Sequence, residues 1–130
     1  MLKITQSYSV TLTVTDNKGA KVSNIVTIVV SPDPNLIPSP SNLSVTTSKT
    51  SITLFWSDNS NNEQGFYIER GLKSKGTTNY QRIGQVGTNI TTYTETVAAN
   101  TYYYRVQAFN LATGKVSGYS NVLQVRISAK

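Results

Sequence analysis

The side chains able to do chemistry are few. Six carboxylates stand at Asp16, Asp33, Asp58, Glu63, Glu69 and Glu95, and the chain has no cysteine and no histidine. Disulfides, thiol nucleophiles, Cys/His zinc sites and histidine-based triads are therefore all excluded. Paired carboxylates would leave acid–base chemistry of the glycosidase kind. Here the acids fall mostly in turns and exposed positions, with no apolar pocket around them to raise a pKa. No Gly-rich phosphate loop and no Gly-x-Ser-x-Gly elbow occurs. One acidic loop, Asp58-Asn59-Ser60-Asn61-Asn62-Glu63, invites a calcium reading. Oxygen ligands at Asp58, Ser60, Asn62 and Glu69 match EF-hand offsets one, three, five and twelve. Offset six is Glu63, where that loop needs glycine, and Glu69 falls in strand-like sequence. Asx side chains bonding their own backbone explain the same residues. The expectation is no catalytic residue, no metal and no cofactor.

The elements around these residues are strands. Period-two alternation dominates, and no convincing amphipathic helix or membrane-spanning stretch is legible. Charged residues are only 14% of the 130, tyrosine occurs 8 times, and the net charge is +6 with a pI of about 9.7. The basic residues are scattered, with the densest cluster at Arg70, Lys73 and Lys75, and no nucleic-acid reader motif accompanies them. Tyr8, Val10, Leu12 and Val14 share one face of a first strand, Asp16-Asn17-Lys18-Gly19 supplies a turn, and Ile25–Val30 returns as a second strand. All four prolines then sit between Pro32 and Pro40, a semi-rigid linker. The domain reading is a partial hairpin unit over 1–31, a linker over 32–40 and a domain over 41–128. No signal-peptide pattern opens the chain, so Met1-Leu2-Lys3-Ile4 reads as a cut into a longer polypeptide.

Past the linker, short strands recur over Leu43–Thr47, Ile52–Trp56, Phe66–Arg70, Tyr80–Val86, Thr92–Glu95, Tyr102–Phe109 and Asn121–Ile127, with Lys73–Thr78 a flexible turn. Seven short strands in about 90 residues are the signature of an antiparallel sandwich. Several motifs then resemble one family in the right order: Ile52-Thr53-Leu54-Phe55-Trp56, the run from Asp58 to Arg70, Tyr102 to Asn110, and Ser117-Gly118-Tyr119-Ser120-Asn121. Residues 37–128 resemble a bacterial fibronectin type III domain. Residues 7–31 resemble the last hairpin of a polycystic-kidney-disease-type (PKD-type) domain, whose earlier part is absent. The fold implied is all-β, an immunoglobulin-like sandwich of seven antiparallel strands with an extra N-terminal hairpin.

The resemblance implies structural roles for Trp56, Phe66, Ile68, Tyr102, Tyr104, Val106 and Ala108, all inward by alternation. Tyr102 matches the tyrosine-corner position, whose hydroxyl bonds nearby backbone. It also makes the strands carrying Tyr67 and Tyr103 neighbours. Outward Tyr67 and Glu69 would then face outward Tyr103 and Arg105. One reading is a cross-strand tyrosine pair beside a surface ion pair. The other is an aromatic platform for a sugar ring, using Tyr67, Tyr103, Phe109 or Tyr119 with Arg105 alongside. The integrin-binding Arg-Gly-Asp triplet of some family members is absent. Asn42-Leu43-Ser44 and Asn89-Ile90-Thr91 fit glycosylation sequons.

As a whole the sequence points to a non-catalytic, extracellular spacer module of a secreted or cell-surface bacterial protein. Such a module would be accessory to a polysaccharide-acting or adhesive protein. The alternative is a module that binds carbohydrate or a cell surface through exposed aromatics. Neighbouring domains and polysaccharide are the expected partners, with no nucleic acid and no membrane insertion. An orphan hairpin bearing Val10, Leu12, Val14, Val26, Ile28 and Val30 would also favour self-association.

Overall fold

Strand alternation in the sequence becomes strand in the molecule. The computed structural model describes residues 6–30 and 33–129, with side chains over 8–27 and 33–129. Met1–Ile4, the linker residues Ser31-Pro32 and the side chains of Ile28 and Val30 lie outside the described residues. The chain divides into two units, Met1–Pro34 and Asn35–Lys130. No helix occurs among the described residues, and so none there is long and apolar enough to cross a membrane.

The first unit is a hairpin of β1 (Gln6–Thr15) and β2 (Lys21–Val30). Its register sets Val10 against Val26 and Val14 against Val22. Asp16 closes the turn, its Oδ1 accepting the N–H of Lys18 and of Ala20 at 2.8 Å each. Gly19 takes φ 85° there, a left-handed conformation that glycine reaches without strain. Val10, Leu12, Val14 and Val26 are all exposed.

The second unit has eight strands: β3 (Ser41–Ser48), β4 (Ser51–Ser57), β5 (Gly65–Ser74), β6 (Thr77–Gly87), β7 (Thr92–Thr96), β8 (Asn100–Asn110), β9 (Lys115–Tyr119) and β10 (Leu123–Ile127). They form an antiparallel three-stranded sheet β3-β4-β7 and a larger sheet β10-β8-β5-β6, with β9 also on β8. The count exceeds the expected seven because the last strand is broken. Its C-terminal half starts at Leu123 instead of Asn121, and β9 precedes it on the same partner. In β9 and just after it, serine hydroxyls take over part of the ladder: Ala108 N–H donates to Ser117 Oγ (2.9 Å) and Val106 N–H to Ser120 Oγ (3.0 Å).

The Lys73–Thr78 stretch also differs from expectation. Lys73, Ser74, Thr77 and Thr78 are paired strand residues, and only Lys75-Gly76 turns. Their φ values of 52° and 83° are the two positive angles that a two-residue type I′ hairpin requires.

Between the sheets lies one core containing Leu43, Ile52, Leu54, Trp56, Phe66, Ile68, Tyr102, Tyr104, Val106, Ala108, Val125 and Ile127. All seven residues assigned inward from the sequence are in it. Ile37 and Pro40, inside the proline-rich stretch, are buried in this unit as well. Burying each large apolar side chain contributes about 1.5–3 kcal/mol. Trp56 meets Phe66 edge-on, with ring centroids 5.6 Å apart. Tyr102 donates its hydroxyl to the carbonyl of Ala98 at 2.8 Å, pinning the corner between β7 and β8 to the start of β8.

Candidate functional site on the outer face of the larger sheet

Every residue that the sequence singles out for binding falls on the solvent-facing side of β6-β5-β8-β9. The register lays them out as a grid. Tyr80, Gly71, Tyr103 and Gln124 form one cross-strand row, Arg82, Glu69 and Arg105 the next, and Gln85, Tyr67, Gln107 and Tyr119 the one after. Glu69 therefore does face Arg105, in an ion pair of 2.7 Å. Tyr67 does not face Tyr103. It sits opposite Gln107, and Tyr103 sits opposite Gly71, so the tyrosine pair does not form.

What forms is a set of diagonal stacks. Tyr80, Arg105 and Tyr119 make one, with the Arg105 guanidinium carbon 3.9 Å from the Tyr80 ring centre and 3.7 Å from that of Tyr119. Arg82, Tyr67 and Phe109 make the second. Arg82 lies 3.4 Å over Tyr67, which stacks on Phe109 at 4.1 Å with 16° between planes. Lys73 lies 5.0 Å over Tyr103. Cation–π contacts contribute about 0.5–1 kcal/mol when exposed and more when desolvated. Glycines make the leaning possible. A Cβ on Gly71 would lie 3.0 Å from the Tyr80 ring, and one on Gly65 would lie 2.8 Å from that of Phe109.

The consequence bears on the aromatic platform. Tyr67 is 8% exposed and Phe109 4%, because the outer face is covered by its own side chains. Tyr119 is 40% exposed but gives one ring face to Arg105, and its hydroxyl lies 3.3 Å from Glu69. Tyr103 and Arg105 are half-buried. No pair of free, coplanar rings is presented.

The acids are also less exposed than expected. Glu63 and Glu69 are buried. Glu95 bridges the two sheets, accepting from Arg70 at 2.7 Å and from the Tyr104 hydroxyl at 2.6 Å. Burial, then that hydrogen bond to Glu95, push the Tyr104 phenol well above the usual tyrosine range. Tyr93 is raised in the same direction, by burial first and then by Glu95, with Arg70 opposing. Beyond Arg70 the β5–β6 hairpin opens a shallow cleft of about 250 Å³ lined by Arg70, Leu72, Ser74, Asn79 and Gln81.

In the acidic loop, Ser60 Oγ lies 2.9 Å from Asp58 Oδ1 and 2.7 Å from Glu63 Oε2. Turned to donate, the side-chain amide of Asn89 reaches both acids at 3.2 Å. The four oxygens of the calcium reading do not converge. Glu69 belongs to the outer face, and Asn62 donates to the carbonyl of Leu36. No group of three or more potential metal-ligating His, Cys, Asp or Glu side chains occurs among the described residues.

Sequence reasoning missed Tyr80, Arg82, Ser117 and Ser120. Gly71, opposite both Tyr80 and Tyr103, was the available signal for Tyr80.

No protein-family model matches the chain, and no curated protein matches it in sequence. Solved structures do match. An Fn3-like protein from Clostridium thermocellum superposes with a TM-score of 0.53 at 26% identity, over 67% of this chain and 88% of that one. The sixth fibronectin type III domain of human fibronectin type III domain containing protein 3 gives 0.57 at 22%, over 76% and 92%. Pectate lyase Pel3 from Pectobacterium carotovorum gives 0.56 at 17%, over 70% of this chain and 27% of that chain. This chain thus spans about a quarter of the lyase's length. The fold is an immunoglobulin-like β-sandwich of the fibronectin type III kind. None of these three is described as a PKD-type domain, and the first unit is known by its hairpin alone.

Proposed function

We propose that the chain is a non-catalytic spacer module of a larger secreted or cell-surface bacterial protein, one that acts on polysaccharide or adheres. One observation carries this reading: the side chains best suited to bind a ligand are already engaged with one another. Tyr67 is covered by Arg82 and Phe109, and Arg105 is held between two rings and paired with Glu69. Aromatic faces closed in this way stiffen the module and are not free to stack on a neutral sugar ring. The likeness to part of a pectate lyase supports the carbohydrate-active setting. Neighbouring domains of the parent would be the partners, and the exposed apolar hairpin face would supply self-association.

The test is sedimentation with insoluble cellulose, chitin and unsubstituted xylan. The module should stay in the supernatant with all three. Binding that is lost in a folded Tyr119→Ala variant would instead put a carbohydrate-binding module ahead, since Tyr119 keeps the most exposed ring on this face.

A further inference from the structure

The outer face carries a charge imbalance that the spacer role does not use. Its residues include one carboxylate, Glu69, against Lys73, Arg82, Arg105 and Arg126. Arg105 is committed to Glu69. Lys73, Arg82 and Arg126 are exposed, and among the described residues none of the three has a carboxylate within ion-pair distance. The other acids of this unit lie elsewhere, Asp58 and Glu63 in their loop and Glu95 between the sheets. Two of the three unpaired cations are also pre-oriented. Arg82 is laid flat on Tyr67 and Lys73 is held over Tyr103. A cation held this way loses less side-chain freedom on binding than one on a free stem.

We propose that this face docks a carboxylate-bearing polysaccharide, through Arg82, Lys73 and Arg126. The arrangement selects the occupant. Stacking on a base or a sugar ring needs open aromatic faces, and here Tyr67 and Tyr80 give theirs to arginines. Insertion into lipid needs exposed apolar side chains, and Tyr67 and Phe109 are covered. Val116 and Tyr119 are exposed only at the β9 margin; across β6, β5, β8 and β10 what remains open are cations interspersed with neutral hydrogen-bonding groups. Exposed Gln85 and Gln124 carry amides suited to sugar hydroxyls, and the guanidinium fork of Arg82 suits a carboxylate. A linear uronate chain offers both chemistries, hydroxyls and one carboxylate per sugar, along a flat sheet. This goes beyond the spacer reading, which stands or falls on neutral polymers.

The experiment is affinity electrophoresis of the whole chain through gels containing polygalacturonate, neutral galactan or single-stranded DNA, at low ionic strength. Lys73→Gln/Arg126→Gln is compared with Lys18→Gln/Lys21→Gln, which removes the same charge from the first unit. Neither pair touches the Arg82–Tyr67–Phe109 stack. Retardation by polygalacturonate is expected, with none by galactan and weaker retardation by DNA. The outer-face variant should lose on the order of tenfold in affinity, as two exposed ion pairs would give, and the hairpin variant should behave as the parent. Equal loss in both variants would reduce the effect to net charge. Retardation by DNA at least as strong as by polygalacturonate would point to nucleic acid instead. No retardation by polygalacturonate would refute the proposal outright.

Discussion

Replacing Tyr104 by phenylalanine should make the second unit less stable at neutral pH yet less sensitive to alkali. Tyr104 is fully buried, and its hydroxyl donates to Glu95 at 2.6 Å. Hydrogen bonds to a charged partner contribute about 1.5–3 kcal/mol net. Glu95 keeps Arg70 at 2.7 Å in the variant, so the loss belongs at the lower end, about 1.5–2 kcal/mol. The pH dependence follows from the raised phenol. Below the ordinary tyrosine value near 10 both the folded and unfolded chains hold the proton, and the full contribution is present. Above it the unfolded chain releases a proton that the folded chain retains. The unfolded state then binds fewer protons, and stability falls by up to about 1.4 kcal/mol per pH unit from this one group. The fall continues until the folded phenol itself titrates.

The parent should therefore lose its advantage over Tyr104→Phe between about one and one and a half pH units above 10. Other titrating groups are common to both proteins and cancel in the difference. Urea unfolding followed by fluorescence of Trp56, the single tryptophan, measures it from pH 7 upward. A gap that stays constant through this range would refute the reasoning, because it would mean that Tyr104 releases its proton as easily folded as unfolded.

Two further outcomes are expected. Tyr102→Phe should cost about 1 kcal/mol through loss of the bond to Ala98, whereas Tyr102→Ala should cost about 3–5 kcal/mol because it also opens the core. Urea midpoints of the two variants separate the hydroxyl from the ring. Removing residues 1–34 should leave the Trp56-reported transition in place, since residues 35–130 hold their own core. It should also abolish any concentration-dependent association seen in sedimentation of the full chain. Association that persists without the hairpin would place the contact elsewhere.

Much of the sandwich was legible because its signals are local. Alternation through Tyr102-Tyr103-Tyr104-Arg105-Val106 separates the faces of β8, and a tyrosine at the corner position predicts a hydroxyl-to-backbone bond that forms at Ala98. The Glu69–Arg105 pair was legible once β5 and β8 were neighbours. The burial of Tyr67 was not. Alternation assigns a side chain to a face, but coverage of that face depends on what leans over it from other strands. Phe109 reaches Tyr67 by lying across Gly65, and Arg82 reaches it from β6, where the register slips between Ile68 and Glu69. Ser117 and Ser120 were hidden for a related reason. A serine replacing a backbone partner in a ladder looks, in sequence, like any serine before a strand.

The two units manage their strand edges differently, and the difference bears on where this molecule meets others. Strand β6 closes one side of the larger sheet, and such an edge invites pairing with another chain. Here it carries the register slip. Its carbonyl at Ile83 also accepts the Tyr93 hydroxyl at 3.3 Å, while Arg82 adds a charge. A bulge and a charge are the devices by which edges are blunted. The hairpin has neither over its middle. From Tyr8 to Val14 and from Val22 to Val26 neither strand holds a charged residue, and the register runs without a break. A two-stranded ribbon with an apolar face is marginal by itself in water. Strand addition would give it both missing hydrogen bonds and cover. The outer face of the larger sheet, covered by its own side chains, presents charge instead. On our proposals, association through backbone and apolar surface would fall to residues 6–30, and recognition through charge to the outer face of β6-β5-β8-β10.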